Sequence, residues 1–270
     1  MQLYDLKHGN SALIISIPHA GTFVPQDIKS RFTDIAHHVP DTDWFVPQLY
    51  TEYAEENDVT VISANYSRYV VDLNRPADGT PLYPGQASLP ICPPQSFDGE
   101  NIYQDGAEPT ADEIEDRIAA YWQPYHDEIR TQIARIKEQH GYAILYDAHS
   151  IRQTVPRLFD GALPVLNLGT VNGKSCHSEI EHAANTAAQN SDYDCILNGR
   201  FIGGYITRHY GNPDAQVHAL QMELAQSAYM DEDTVNYDEE KAEKLKTVLS
   251  RILNAMTDNA RARVITEAIG

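Results

Sequence analysis

Residues 142–150 read YAILYDAHS, and residues 14–21 read IISIPHAG. Each is a short apolar run that closes on a histidine beside a turn. Runs of four to eight such residues, bounded by turn formers, predict buried strands. LIISI at 13–17, VTVIS at 59–63, YVVDL at 69–73, LPVLNLG at 163–169, GGYITRHYG at 203–211 and QVHALQMEL at 216–224 extend the set. Helical spacing falls between them. Trp44, Val46, Leu49, Tyr53 and Ala54 share one side of 42–57. Thr110-Ala-Asp-Glu113 is a capping box, with Glu113 expected to reach back, and it opens a long helix that Gly141 closes. Further helices are expected near 175–190 and from Tyr237 to about Met256. Strands alternating with helices predict an α/β protein, with a sheet covered on both faces, and one domain over residues 1–270.

Residues 76–109 break the alternation. They hold seven of the fifteen prolines and exceed the usual connection of about 4–6 residues. The apolar residues Tyr83, Leu89, Ile91, Phe97 and Tyr103 predict a loop that packs over a site.

Composition excludes several partners. The 270 residues carry 20 Lys+Arg against 39 Asp+Glu, a net charge of -19, which disfavours nucleic acid and anionic membrane. No apolar run is long enough for a transmembrane helix, and the N-terminus lacks the pattern of a signal peptide, so a cytoplasmic protein is expected. Cys92, Cys176 and Cys195 are too far apart for a Cys-x-x-Cys site and too few for a disulfide framework. Phosphate-loop, dinucleotide, nucleophile-elbow and His-Glu-x-x-His motifs are absent. A small anionic molecule, if it is the substrate, would need a local cluster of arginines.

The polar residues at predicted element ends carry the chemistry. His19 follows the first strand and His149 ends another. Asp41 or Asp43 either caps the first helix or binds a metal. Asn74 and Arg75 stand side by side after YVVDL. Two imidazoles and a carboxylate around zinc leave a position for water, and a further glutamate can move the proton. A lone histidine after a strand is more often a structural hydrogen-bonder, and only convergence would make these ligands. Asp147 is not expected to bond His149, two residues on in a strand. Glu223 interrupts an apolar run, and a buried carboxylate there needs a partner. His37, His38, His177 and His182 read as surface groups.

Taken in order, IPHAG (17–21), DTDW (41–44), SRYVVDLNRP (67–76), DAHS (147–150), GGYITRHYG (203–211) and QMELAQSAYMDE (221–232) resemble the N-formylglutamate amidohydrolase family over about residues 10–255. That resemblance implies hydrolysis of N-formyl-L-glutamate in histidine degradation. It also implies a three-layer α/β/α domain around a mixed, mostly parallel sheet, similar to zinc carboxypeptidases and aspartoacylase. It makes His19 and His149 zinc ligands, with other transition metals as alternatives. The related hydrolases place a carboxylate ligand three residues after the first histidine, where this chain has Thr22, and Asp43 is the best replacement, with Asp41 or Glu223 as the alternatives. Asn74 and Arg75 resemble the pair that holds a substrate carboxylate, and Glu223 resembles the general base. Arg208 and then Arg68 are the next candidates to bind substrate, Arg68 being equally suited to pair with Asp72. A deacylase of another N-acyl amino acid, or a non-catalytic binder of acidic amino acids, would share much of this framework.

Overall fold

The computed structural model describes residues 1–82 and 89–269. Seven strands form one sheet: β1 (Tyr4–Lys7), β2 (Leu13–Ile17), β3 (Thr60–Ala64), β4 (Ala143–Ile151), β5 (Leu166–Gly169), β6 (Cys195–Leu197) and β7 (Val217–Ala225). Their spatial order is β1-β3-β2-β4-β7-β5-β6. The four strands β3, β2, β4 and β7 are neighbours and run parallel. β1 opposes β3 at one edge, while β5 opposes β7 and runs parallel to β6 at the other. The mixed, mostly parallel α/β sheet is the expected one. β2, β4 and β7 are buried along their whole lengths, which is why their sequences read as nearly unbroken apolar runs.

The described helices of the α class are α1 (Gln26–Lys29), α2 (Val46–Glu56), α3 (Ala111–Arg117), α4 (Gln123–His140), α5 (Ser178–Gln189), α6 (Tyr205–Tyr210) and α7 (Glu239–Ile269). α4 and α6 cover one face of the sheet, and α2 with α5 and α7 covers the other. Alternation along the strands shows the division. Ser16, beside Asp147 in the register, meets Tyr125 of α4, whereas Tyr146 meets Tyr50 of α2. Among the described residues no helix is long and apolar enough to cross a membrane.

Several local expectations change. Residues 69–73 form turns rather than a strand: Val70 N bonds Ser67 O, and the Asp72 carboxylate accepts Asn74 N. Val70 and Val71 are buried because the segment crosses the core, without pairing in the sheet. The stretch 203–211 contains helix α6, with Ile206 and Tyr210 one turn apart on its buried side. Thr110 caps α3, but Glu113 pairs with Arg31 and Arg117 instead of reaching back. α3 joins α4 through a π-helical turn at Ile118–Trp122. In the 76–109 segment, Ile91 and Tyr103 enter hydrophobic clusters while Leu89 and Phe97 border a cleft. Tyr83, expected in the same cover, lies outside the described residues.

Candidate active site

The cleft lies at the carboxyl edge of the parallel strands, where α/β sheets commonly bind ligands. Its open space, mouth included, is about 680 Å³. β2 delivers His19 on the turn just beyond its end. Gly21 then lets the chain run against the backbone of 65–66, where a Cβ would lie 2.4 Å from the Tyr66 carbonyl oxygen. β4 delivers His149, which lies within the strand and not beyond it. β7 delivers Glu223, and the β4–β7 register sets Glu223 directly beside His149. Asp43 arrives from the turn before α2.

His19, Asp43 and His149 are all buried, and each offers a ligand atom within 4.8 Å of the others. Asp43 Oδ2 lies 3.1 Å from His149 Nδ1 and 3.8 Å from His19 Nδ1. The opposite ring nitrogens are also engaged. His19 Nε2 is 2.7 Å from Asp72 Oδ1, and His149 Nε2 is 3.1 Å from Asp147 Oδ1. A carboxylate behind each imidazole is the arrangement that orients histidine ligands toward a metal. The contact between Asp147 and His149 corrects the expectation that the two would not meet. Asn74 Nδ2 also lies 2.9 Å from His149 Nε2, so a ring protonated on Nδ1 can accept from Asn74, while the approach of Asp147 Oδ1 to the same nitrogen is an ion contact.

Asp41 is turned elsewhere. Its Oδ2 accepts from Tyr69 Oη at 2.8 Å and from Phe97 N at 2.9 Å, binding the long loop to the turn before α2. Thr22 is exposed. Asp43 is therefore the carboxylate beside both histidines.

Asp43, Asp72, Asp147 and Glu223 bring four buried carboxyl groups together, with the Arg68 guanidinium buried among them and Arg75 beside Asp72. Burial pushes the Glu223 carboxyl up to about 8, with Asp43 adding to the rise while His149 and Arg68 oppose it. Burial also disfavours charge on His149, but Asp147 and Asp43 outweigh it and hold that imidazole well above its ordinary pKa. His19 moves the other way, lowered by burial and by Arg68. His19, Asp43 and His149 offer three converging donor atoms that could hold a metal ion.

The segment after β3 supplies the neighbouring groups. Arg68 lies 2.6 Å from Asp72 Oδ2 and 3.9 Å from Asp43 Oδ1, and stacks 4.7 Å from the Phe97 ring centre. Asn74 is fixed by three partners. Its Oδ1 accepts Ile206 N at 2.7 Å, which orients its amide group toward His149 and Asp147. Gly204 makes room for it, since a Cβ there would lie 2.3 Å from Asn74 Nδ2. Asn74 can donate to a substrate carboxylate only by exchanging one of its two Nδ2 bonds. On either side of it, the Leu73 carbonyl meets His126 Nε2 at 2.8 Å and the Arg75 carbonyl meets Trp122 Nε1 at 2.9 Å. Arg75 itself lines the cleft, with Nε 3.8 Å from Asp72.

Arg208 donates from Nε to the Gly203 carbonyl at 2.8 Å and is not among the described residues lining the cleft. Arg200 is, although no local pattern in the sequence marks it. Gln221 was missed as well: its Nε2 donates to Glu223 Oε2 at 3.1 Å and its Oε1 accepts Gly204 N at 2.5 Å. Its position two residues before Glu223 on a strand was the available signal.

Two imidazoles and one carboxylate that could hold a metal ion stand at the carboxyl edge of a mixed α/β sheet, with a separate buried glutamate beside them. The pattern of the N-formylglutamate amidohydrolase family matches residues 11–230, and the chain belongs to that family. An N-formylglutamate deformylase of Pseudomonas putida is 44% identical over 257 residues, 94% of this chain and 96% of that protein. One from Pseudomonas aeruginosa is 44% identical over 266 residues, 97% and 98% of the two chains. The crystal structure of an N-formylglutamate amidohydrolase from Ralstonia eutropha has the same fold, with a TM-score of 0.81 at 21% identity over 94% of this chain and 98% of that one.

Proposed function

We propose that this amidohydrolase converts N-formyl-L-glutamate to formate and L-glutamate, with one divalent ion held by His19, Asp43 and His149, and that residues 1–270 act as one domain. The observation that carries the reading is the juxtaposition of the buried His–Asp–His group with Glu223, beside His149 in the next strand. Zinc suits two imidazoles and a carboxylate, and other transition metals accept the same donors. When bound, such an ion supplies Lewis acidity toward a carbonyl oxygen and makes water a better nucleophile near neutral pH.

The chain's own groups do the rest. Glu223 takes the proton from the attacking water and returns it to the departing amine nitrogen, which would otherwise be too poor a leaving group. Gln221 holds one oxygen of that carboxylate. Asp72 and Asp147 fix the rings of His19 and His149, and Arg68 holds Asp72 in its ionised form. Arg75 offers a guanidinium to a substrate carboxylate, with Asn74 beside it.

The test is formate release from N-formyl-L-glutamate by purified protein, before and after chelation and again after zinc is restored. The reading expects turnover that is lost and then recovered. Turnover that survives complete removal of metal, or that is confined to another N-acyl amino acid, contradicts it.

A further inference from the structure

Among the described residues, three arginines and no lysine line the cleft: Arg68, Arg75 and Arg200. A substrate with two carboxylates, entering a protein of net charge -19, needs positive groups close at hand. Arg68 is directed inward to Asp72 and Asp43, and its residue is only 8% exposed. Arg75 serves one carboxylate on the reading above.

Arg200 follows β6 on a segment that returns across the cleft. Its Nε donates to the Leu158 carbonyl at 2.9 Å, and its guanidinium carbon lies 5.4 Å from the centre of the Phe201 ring. These contacts restrict where the planar group points, and a fixed guanidinium is suited to gripping a carboxylate through two parallel hydrogen bonds. The neighbouring wall is apolar: Leu158 and Phe201 line it with Leu89, Phe97 and Ile151. An apolar wall beside a fixed guanidinium suits a short methylene arm that ends in a carboxylate. Arg208 braces the same segment through the Gly203 carbonyl.

We propose that Arg200 is the specificity-determining residue that takes the side-chain carboxylate of the N-acyl amino acid, an assignment that rests on the cleft being the N-formylglutamate site. The probes are N-formyl-L-glutamate and N-formyl-L-glutamine, which match in shape and differ in charge, given to the metal-loaded parent, R200Q and R200K. R200Q should lose about 10²-fold in kcat/KM for N-formyl-L-glutamate, the loss expected for a charged hydrogen-bonding pair, while N-formyl-L-glutamine changes only a few-fold. Metal content should stay at the parent level. If R200Q does not fold, R200K decides, and it should weaken the glutamate substrate about tenfold more than the glutamine one because the forked geometry is gone. An unchanged preference in the folded variants, or an equal loss for both substrates, overturns the assignment while the parent's activity stands. A parent that releases no formate from N-formyl-L-glutamate overturns the substrate reading and the assignment together.

Discussion

His149 and Glu223 lie in adjacent paired strands, whereas Arg75 and Arg200 lie on connections with neither strand nor long helix around them. The floor of the cleft is therefore held by the sheet and its rim by side chains reaching between loops. On the floor, each histidine has a carboxylate at both ring nitrogens. At the rim, Arg200 is held through the Leu158 carbonyl and the Phe201 ring. A buried charged group left without its partner costs several kcal/mol, so the floor tolerates little change. Rim arginines meet solvent on one side and can be exchanged with less harm to the fold. On the proposed function, this difference assigns the chemistry to the floor and the selection of substrate to the rim.

Substitution of a floor ligand should have the largest effect. H149A should lose its bound metal and reduce formate release to the level of buffer, because the remaining donors cannot hold the ion. Metal analysis and a formate assay on the same preparation check this. Full metal occupancy in H149A would remove the residue from the ligand set and blur the distinction between floor and rim.

A smaller effect is expected where the two regions are joined. Trp122 and His126 hold the carbonyls on either side of Asn74, so the turn that carries Asn74 and Arg75 is positioned from α4 and the π-helical turn before it. W122F keeps an aromatic group of smaller size and removes one neutral hydrogen bond, the latter worth about 1 kcal/mol. It should lower kcat/KM about fivefold, mainly through KM, with metal content unchanged. A fall in melting temperature with unchanged kinetics would make Trp122 a structural residue only.

The floor was the more legible region in the sequence. In LIISIPH, YAILYDAHS and QMEL, a polar residue closes or interrupts an apolar run, and the interior of a strand has little use for one unless it faces a site. The same runs gave the sheet, because strands buried on both faces show few polar positions. Tertiary contacts decided the remainder. YVVDL and GGYITRHYG have the composition of strands, but Val70 and Val71 are buried on turns, and α6 starts where Asn74 accepts Ile206 N across a long sequence separation. Asp41 and Asp43 are equivalent in DTDW, and only Tyr69 and the Phe97 amide, which claim Asp41, tell them apart. Arg200 carries no local mark, since the carbonyl that orients it belongs to Leu158.

The proposed role of Glu223, moving the proton beside a metal held by other residues, is open to one substitution, E223Q. Glutamine keeps the size of the side chain and removes the base. E223Q should fold and hold metal at the parent level while formate release from N-formyl-L-glutamate falls by about 10²–10⁴. A folded, metal-loaded E223Q that works at nearly the parent rate would contradict that role.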